Sequence, residues 1–375
     1  MALLHLALAS LAVVHDIDDY GARDSDPMAT HDNAAAFSSA LAAAAPGDTV
    51  LAKAGFTYYM HAVTAASLHD VNIQLAGNIL VDNNISAWAN VNEQLHWLEI
   101  VDSTNVTLGG GGQVDGQGQP WWDAAITGSS KVMEDRPNLL QLTNTTDLII
   151  EHLTLLNSPH FHVRFTQCAR VVVRFVIINV DRFAQRSLKA QAHARRLKGL
   201  GAHVAPLAEA IARRLYGLDG QDDWRDWLLD QIVKLIPAWA LQPEDLNTDG
   251  IDPNGEDFHV HDCSINNDDD SIAVKPSTLA DRFRCSQNML FERCDAPDPS
   301  RSCRISRHLP FRASVSSSLH LTRFVCDTTL SQAHAHGLRR ICRLGATKCG
   351  CALCAQPHIP QPLDAGHGQG DLRQV

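Results

Sequence analysis

Two acidic clusters near the middle of the chain carry the residue types for acid–base chemistry. The first is Asn247-Thr-Asp-Gly-Ile-Asp252 and the second Asn266-Asn-Asp-Asp-Asp-Ser-Ile-Ala-Val-Lys275. Asp249 precedes Asp269 and Asp270 by 20 and 21 residues, the length of one turn of a chain coiling on itself. Neighbouring strands in such a stack lie about 4.8 Å apart, so the carboxylates can meet on one surface. Inverting hydrolysis of a glycosidic bond needs a protonated acid and a carboxylate base about 6.5–9.5 Å apart, with water between. Crowded carboxylates push one pKa upward and keep that proton available. A calcium turn or a solvated acidic loop uses the same residue types, and spacing alone leaves all three readings open.

The surrounding pattern explains how such clusters could be stacked. Short strands recur at loosely regular intervals, each led by a polar residue into an alternating apolar run. They include Asp70-Val-Asn-Ile-Gln-Leu75, Asn105-Val-Thr-Leu108, Asp147-Leu-Ile-Ile150, Arg170-Val-Val-Val173, Asp257-Phe-His-Val260 and Asn288-Met-Leu-Phe291. Units this short cannot bury their own apolar face, and stacking them into a solenoid solves the problem. A β-sandwich competes, but it favours longer strands joined by two-residue hairpins. Ahead of the repeats, Phe37, Ala40, Leu41 and Ala44 recur at helical spacing, which predicts a helix over 32–45 capped by Asp32. Such a helix would close the open end of the stack.

Between 184 and 243 the repeat is interrupted. Leu207, Ile211 and Leu215 share one helical face, as do Trp224, Trp227, Leu228, Ile232, Leu235 and Ile236, until Pro237 stops the run. This segment is predicted as a helical insertion, with a translated intron as the alternative. Beyond 295 the strand rhythm fades and Ser, His and Cys accumulate, so 296–375 reads as a diverged or poorly ordered tail.

The net charge of −11 argues against nucleic acid, which demands a basic surface. An anionic sugar polymer would need a local cluster of Lys or Arg. The uncharged run Met1 to Val14 matches the apolar core of a signal peptide and is too short to span a bilayer; a buried first strand is the alternative. The sequons at Asn84, Asn105 and Asn144 fit secretion as glycosylation sites. In that context Cys263 and Cys285 are the expected disulfide pair. The Cys349-Gly-Cys-Ala-Leu-Cys354 cluster lacks a second half for zinc, and no metal or cofactor is expected. Trp121 and Trp122 could stack on sugars or pack inside the wall.

The ordered motifs resemble glycoside hydrolase family 28, the polygalacturonases and their relatives. Asp19-Tyr-Gly-Ala22, Thr30-His-Asp-Asn-Ala-Ala-Ala-Phe37, Val114 to Asp123, Asn157-Ser-Pro-His-Phe-His162 and the two acidic clusters carry the likeness, over roughly 15–181 and 244–295. It implies an all-β, right-handed parallel β-helix with an N-terminal capping helix and a helical insertion. The expected parts are a signal peptide at 1–14, β-helix at 15–183, insertion at 184–243, catalytic coils at 244–295 and the tail. By motif position Asp269 would be the general acid, with Asp249 and Asp270 activating water; Asp268 adds a third carboxylate where the family has glycine, which leaves that register open by one residue. Asn247 and Lys275 are the candidate substrate contacts. The family's Gly-His-Gly and Arg-Ile-Lys motifs have no counterpart at the expected places. The implied function is secreted, extracellular hydrolysis of pectic α-1,4-galacturonan by a monomer without a membrane partner. The alternatives are a rhamnogalacturonan or xylogalacturonan hydrolase, or a wall-polysaccharide binder that has lost catalysis.

Overall fold

The computed structural model describes residues 11–88, 95–127, 135–201, 204–218, 228–229, 231–236, 246–277 and 286–295, with backbone alone at 305–307, 312–316 and 321–325. The chain divides into units 1–326 and 327–375, and every described residue belongs to the first. The signal-like residues 1–10, Trp224, Trp227, Cys285 and the terminal cysteine cluster lie outside the described residues.

Three sheets run the length of the first unit, and from Val14 to Arg307 every strand pairing is parallel. The chain visits the sheets in rotation, so that each coil adds one strand to each sheet. The result is the right-handed parallel β-helix expected from the sequence. Inward residues form stacks that climb from coil to coil. Val71, Val106, Leu148, Val171, Phe258 and Met289 are in register in one sheet, and all are at most 3% exposed. In a second sheet Val63, Leu98, Leu140, Val163, Ile251 and Ile272 do the same. Fully burying an aliphatic side chain contributes about 1.5–3 kcal/mol, and each residue here also covers the one below it.

The polar residues that lead the strands have a backbone role. Asp70, Asn105, Asp147, Arg170, Asp257 and Asn288 all adopt the left-handed conformation, with φ between 53° and 59°. Asx residues tolerate this region better than others. Stacked corners also pair: Asn105 donates to Asp70 at 2.6 Å, Arg170 to Asp147 at 2.6 Å and Asn288 to Asp257 at 3.1 Å. Two expected glycosylation sites sit in such ladders, since Asn105 and Asn144 both donate side-chain bonds to an adjacent coil. Asn84 is exposed, and its amide oxygen accepts from Ser86.

Helix α1 (Thr30–Ala43) covers the first coil, burying Phe37, Ala40 and Leu41 in the common core. It starts two residues earlier than expected. Asp32 therefore lies in the first turn, exposed and paired with Arg23, and does not cap the helix. The first strand, Val14–Asp16, pairs with Thr49–Ala52, so the expected signal-peptide boundary falls within it. Trp121 and Trp122, in helix α2 (Gln119–Thr127), are 2% and 1% exposed, and their packing excludes sugar stacking. Cys263 lies beside the thiol of Cys294, one coil on, and its expected partner Cys285 is outside the described residues.

Within the insertion, helix α3 (Arg182–Lys198) and helix α4 (Ala208–Leu215) pack through Leu197, Ala208 and Ile211, joined by Leu229, Ile232 and Ile236. Leu215 and Leu228 are exposed, at 39% and 41%, against expectation; Ala212 and Leu229 take the inward places. After the strand Ile305–Arg307, the strands Arg312–Ser316 and Leu321–Val325 form an antiparallel pair that lies against Gln287–Glu292. Parallel stacking ends there.

Candidate active site

The two acidic clusters occupy successive coils of the sheet that contains Val163–Thr166, Ile251–Asp252 and Ile272–Val274. Ile251 pairs with Ile272, and one residue earlier the Gly250 N–H donates to the Asp270 carbonyl at 2.9 Å. A Cβ at Gly250 would collide with the Ser271 carbonyl oxygen, so only glycine lets the two acidic turns approach this closely. Asn267 ties them together, its amide donating to Thr248 O at 3.0 Å and Asp270 O at 2.8 Å.

This arrangement brings Asp249 and Asp270 onto neighbouring coils, both buried, at 6% and 8% exposure. Asp269 is half-buried, and its carboxylate accepts the Asp270 N–H at 2.8 Å. Asn247, in a left-handed conformation, begins the first turn and is half-buried. Lys275 reaches back under both clusters. Its ammonium is 2.8 Å from Asp249 Oδ2 and 3.1 Å from Asp252 Oδ2, and it lies 4.6 Å from the Phe161 ring centroid.

Asp252 was not among the expected site residues. It follows inward Ile251 and therefore points to the outer face, yet it is fully buried there. Burial pushes its carboxyl well above the usual range, and the charge of Asp249 adds to that. Asp249 is also raised by burial, against the opposing pull of Lys275. Burial thus disfavours charge more strongly on Asp252 than on Asp249. Burial disfavours the Lys275 ammonium, but the two carboxylates outweigh it, and its pKa moves up.

A second group collects around Phe161. Arg164 is in register with Asp252 one coil away, and its guanidinium lies 5.7 Å from the Phe161 centroid. His160 stacks on the same ring at 4.0 Å. Burial, with Arg136, Arg164 and Lys275 nearby, drives the His160 pKa far down; burial and Arg164 bring His96 to about 4. His162 is fully buried. Its Nε2 accepts the Ser158 N–H at 3.3 Å, which leaves the proton on Nδ1, 3.0 Å from the Asp249 carbonyl oxygen. That neutral imidazole holds the backbone of Asp249 in place.

Asp268, the extra acid of the second cluster, faces the insertion. Arg186 contacts it at 2.9 Å, Lys189 at 3.5 Å and Arg182 at 3.7 Å, all from helix α3. Those cations recur at four- and three-residue spacing, one face of a helix. Asp268 therefore anchors the insertion, while Asp270 lies near enough to Asp249 for its charge to act on it.

Among the described residues one further group of possible metal ligands exists, His31, His61 and Asp82, at the opposite end of the solenoid from these acids.

Comparison with known proteins gives a consistent likeness. Residues 44–186 match the family described as "Glycosyl hydrolases family 28". A polygalacturonase of Persea americana is 26% identical over 166 residues, covering 43% of this chain and 35% of that protein. A polygalacturonase of Cryptomeria japonica is 34% identical over 110 residues, 28% of this chain and 21% of that one. The chain thus spans about a third or less of the length of the curated relatives it matches. The solved polygalacturonase from Erwinia carotovora ssp. carotovora overlies 76% of this chain and 62% of its own, at 17% identity and a TM-score of 0.48. Over residues 44–186, the chain thus resembles the glycosyl hydrolases of family 28.

Proposed function

We propose that this protein is a glycosidase that hydrolyses a pectic polysaccharide, α-1,4-galacturonan, with inversion at the anomeric carbon. The observation that carries the reading is the approach of Asp249 to Asp270 across adjacent coils, with Asp269 next in the chain and Lys275 bonded to Asp249. Asp269, the more exposed acid, gives its proton to the leaving glycosidic oxygen. Asp249, kept ionised by Lys275, takes a proton from the attacking water, which Asp270 helps orient. The water oxygen bonds to the anomeric carbon as the glycosidic bond breaks, so one acid loses a proton and one base gains one.

A galacturonan presents a carboxylate on each sugar, and the acid cluster repels it. Arg164, supported by neutral His160 and His96 on the Phe161 side, offers an electropositive place for that carboxylate. Lys275 serves chiefly to position and charge Asp249, because two carboxylates already engage it. Asn247 borders the same turn as a candidate substrate contact. Such a substrate lies outside the cell, and the reading carries secretion with it. All proposed groups come from one chain, so a monomer suffices.

Reducing-sugar release from polygalacturonate by the purified chain tests this. Asp249→Asn keeps the shape of the side chain and should lower the rate by about 10²–10⁴. Binding of polygalacturonate without any release would instead favour the binder, a reading to which the double engagement of Lys275 lends support. Release from rhamnogalacturonan or xylogalacturonan alone would move the substrate within the class.

A further inference from the structure

We propose that His31, His61 and Asp82 form a binding site for a divalent first-row transition metal of the zinc type, clamping the capping helix to the first coils. His31 lies in the first turn of helix α1. His61 directly follows the strand Thr57–Met60, and Asp82 directly follows its parallel neighbour Asn78–Val81. The last two therefore occupy equivalent corners of consecutive coils, and the helix lays His31 over them. One ligand atom from each of the three lies within 4.8 Å of the others.

The central imidazole is held in place with one ring nitrogen open. Its ring is sandwiched, with His31 on one side and Trp88 on the other, each at 4.4 Å between centroids. Its Nε2 is buried and has no hydrogen-bond partner among the described residues. With the proton on Nδ1, that nitrogen presents a lone pair to a metal, as histidine ligands do through either ring nitrogen. Asp82 is oriented as well, since its Oδ1 accepts the Asn84 N–H at 3.0 Å and its carbonyl accepts Trp88 Nε1–H at 2.9 Å. The His61 N–H donates to the Thr30 carbonyl at 2.9 Å, which fixes the helix start against the coil.

The donor set selects the metal. Two imidazoles and one carboxylate suit zinc and its neighbours, whereas calcium and magnesium require oxygen ligands. Bonds of about 2.0–2.1 Å in a tetrahedron place donors roughly 3.3 Å apart, so the group needs to close by at most about 1.5 Å. His31 is exposed and can swing inward. Burial lowers the His61 pKa, with His31 adding to it, which favours the unprotonated form a metal needs. The positive end of helix α1 opposes a cation here, and the charge of Asp82 counters it. With three protein ligands, the fourth position is left to water.

The test titrates chelator-treated, full-length protein with Co²⁺ and follows visible absorption, alongside His31→Ala and Asp82→Asn. The wild type should show one more bound equivalent than either variant, displaced by Zn²⁺. The extra signal should lack thiolate charge-transfer absorption, which separates it from the C-terminal cysteines. Because removing even an outer-shell partner costs about 10–100-fold in affinity, losing a ligand should weaken the site by at least about 10-fold. His31 is exposed, so His31→Ala should melt like chelator-treated wild type, and Zn²⁺ should raise the melting temperature of the wild type alone. Equal stoichiometry and affinity in wild type and His31→Ala would overturn the site, as would a wild type that binds no Co²⁺.

Discussion

Replacing Lys275 by Met should move the acid limb of the pH–rate profile upward. The ammonium lies 2.8 Å from Asp249 and 3.1 Å from Asp252. At an effective dielectric of about 20, Coulomb's law gives about 6 kcal/mol for the Asp249 pair. Desolvation of Lys275 and relaxation around the new side chain cancel much of this. An adjacent opposite charge typically shifts a carboxyl by about 1–3 pH units, or about 1.4–4 kcal/mol. The sign follows from the chemistry: Asp249 works ionised, burial already pushes its pKa up, and losing the cation pushes it further. Activity at pH 5 should fall by about 10–10³-fold and recover as the pH rises, with KM little changed. Initial rates of reducing-sugar release between pH 3 and 8 supply the profile. An unmoved acid limb together with a raised KM would refute the reasoning and return Lys275 to direct contact with substrate.

Three other outcomes follow from the same geometry. Asp252 is raised well above its usual range by burial, so the folded state keeps a proton that the unfolded chain releases near pH 4. Stability should therefore decline as pH rises from about 4 toward the folded pKa, and Asp252→Asn should remove that slope in urea melts; identical slopes would show that Asp252 is already ionised. Asp268→Asn strands Arg182, Arg186 and Lys189 together and should cost about 3 kcal/mol while leaving kcat within about tenfold, whereas a stable variant with a hundredfold lower kcat would put Asp268 in the chemistry. Trp122→Ala should destabilise by about 3–5 kcal/mol in denaturant melts without a matching change in KM, since its ring is buried and its Nε1–H bonds the Ser158 carbonyl at 3.1 Å.

The coil pattern was legible because each strand advertises its corner. The Asx residue that precedes the apolar alternation is the one that turns left-handed, at Asp70, Asn105, Asp147, Asp257 and Asn288. The Asp249–Asp270 approach was legible from spacing, because one coil near this point is about as long as the interval between the clusters. Asp252 was missed although the signal was present: it alternates with inward Ile251 and so must share the outer face with Asp249's neighbours. The role of Asp268 was missed because the insertion was read by its apolar residues, while its basic stripe at 182, 186 and 189 carries the contact. The His31–His61–Asp82 group could not be read from spacing, since a helix and two coil corners meet there only through the stacking of the solenoid. Asp32 shows the limit of capping rules, as the helix begins before it and the carboxylate turns to Arg23.

The insertion leaves the solenoid at one corner and returns at the next strand without disturbing the ladder. Ile177–Asn179 still pairs with Thr154–Leu156 before it and Ser264–Asn266 after it, and Val163 still pairs with Ile251. Growing a corner of about half a dozen residues into an excursion of about sixty costs only roughly 2 kcal/mol in closure entropy. A corner of a stacked coil is therefore a port where a chain can acquire or discard a module while its neighbours keep their register. Here the acquired module is moored by an acid one residue from Asp269. Any mutation that loosens the mooring reaches the acidic turn, so module and acidic coil can be expected to change as a linked pair even though the ladder would close without the module.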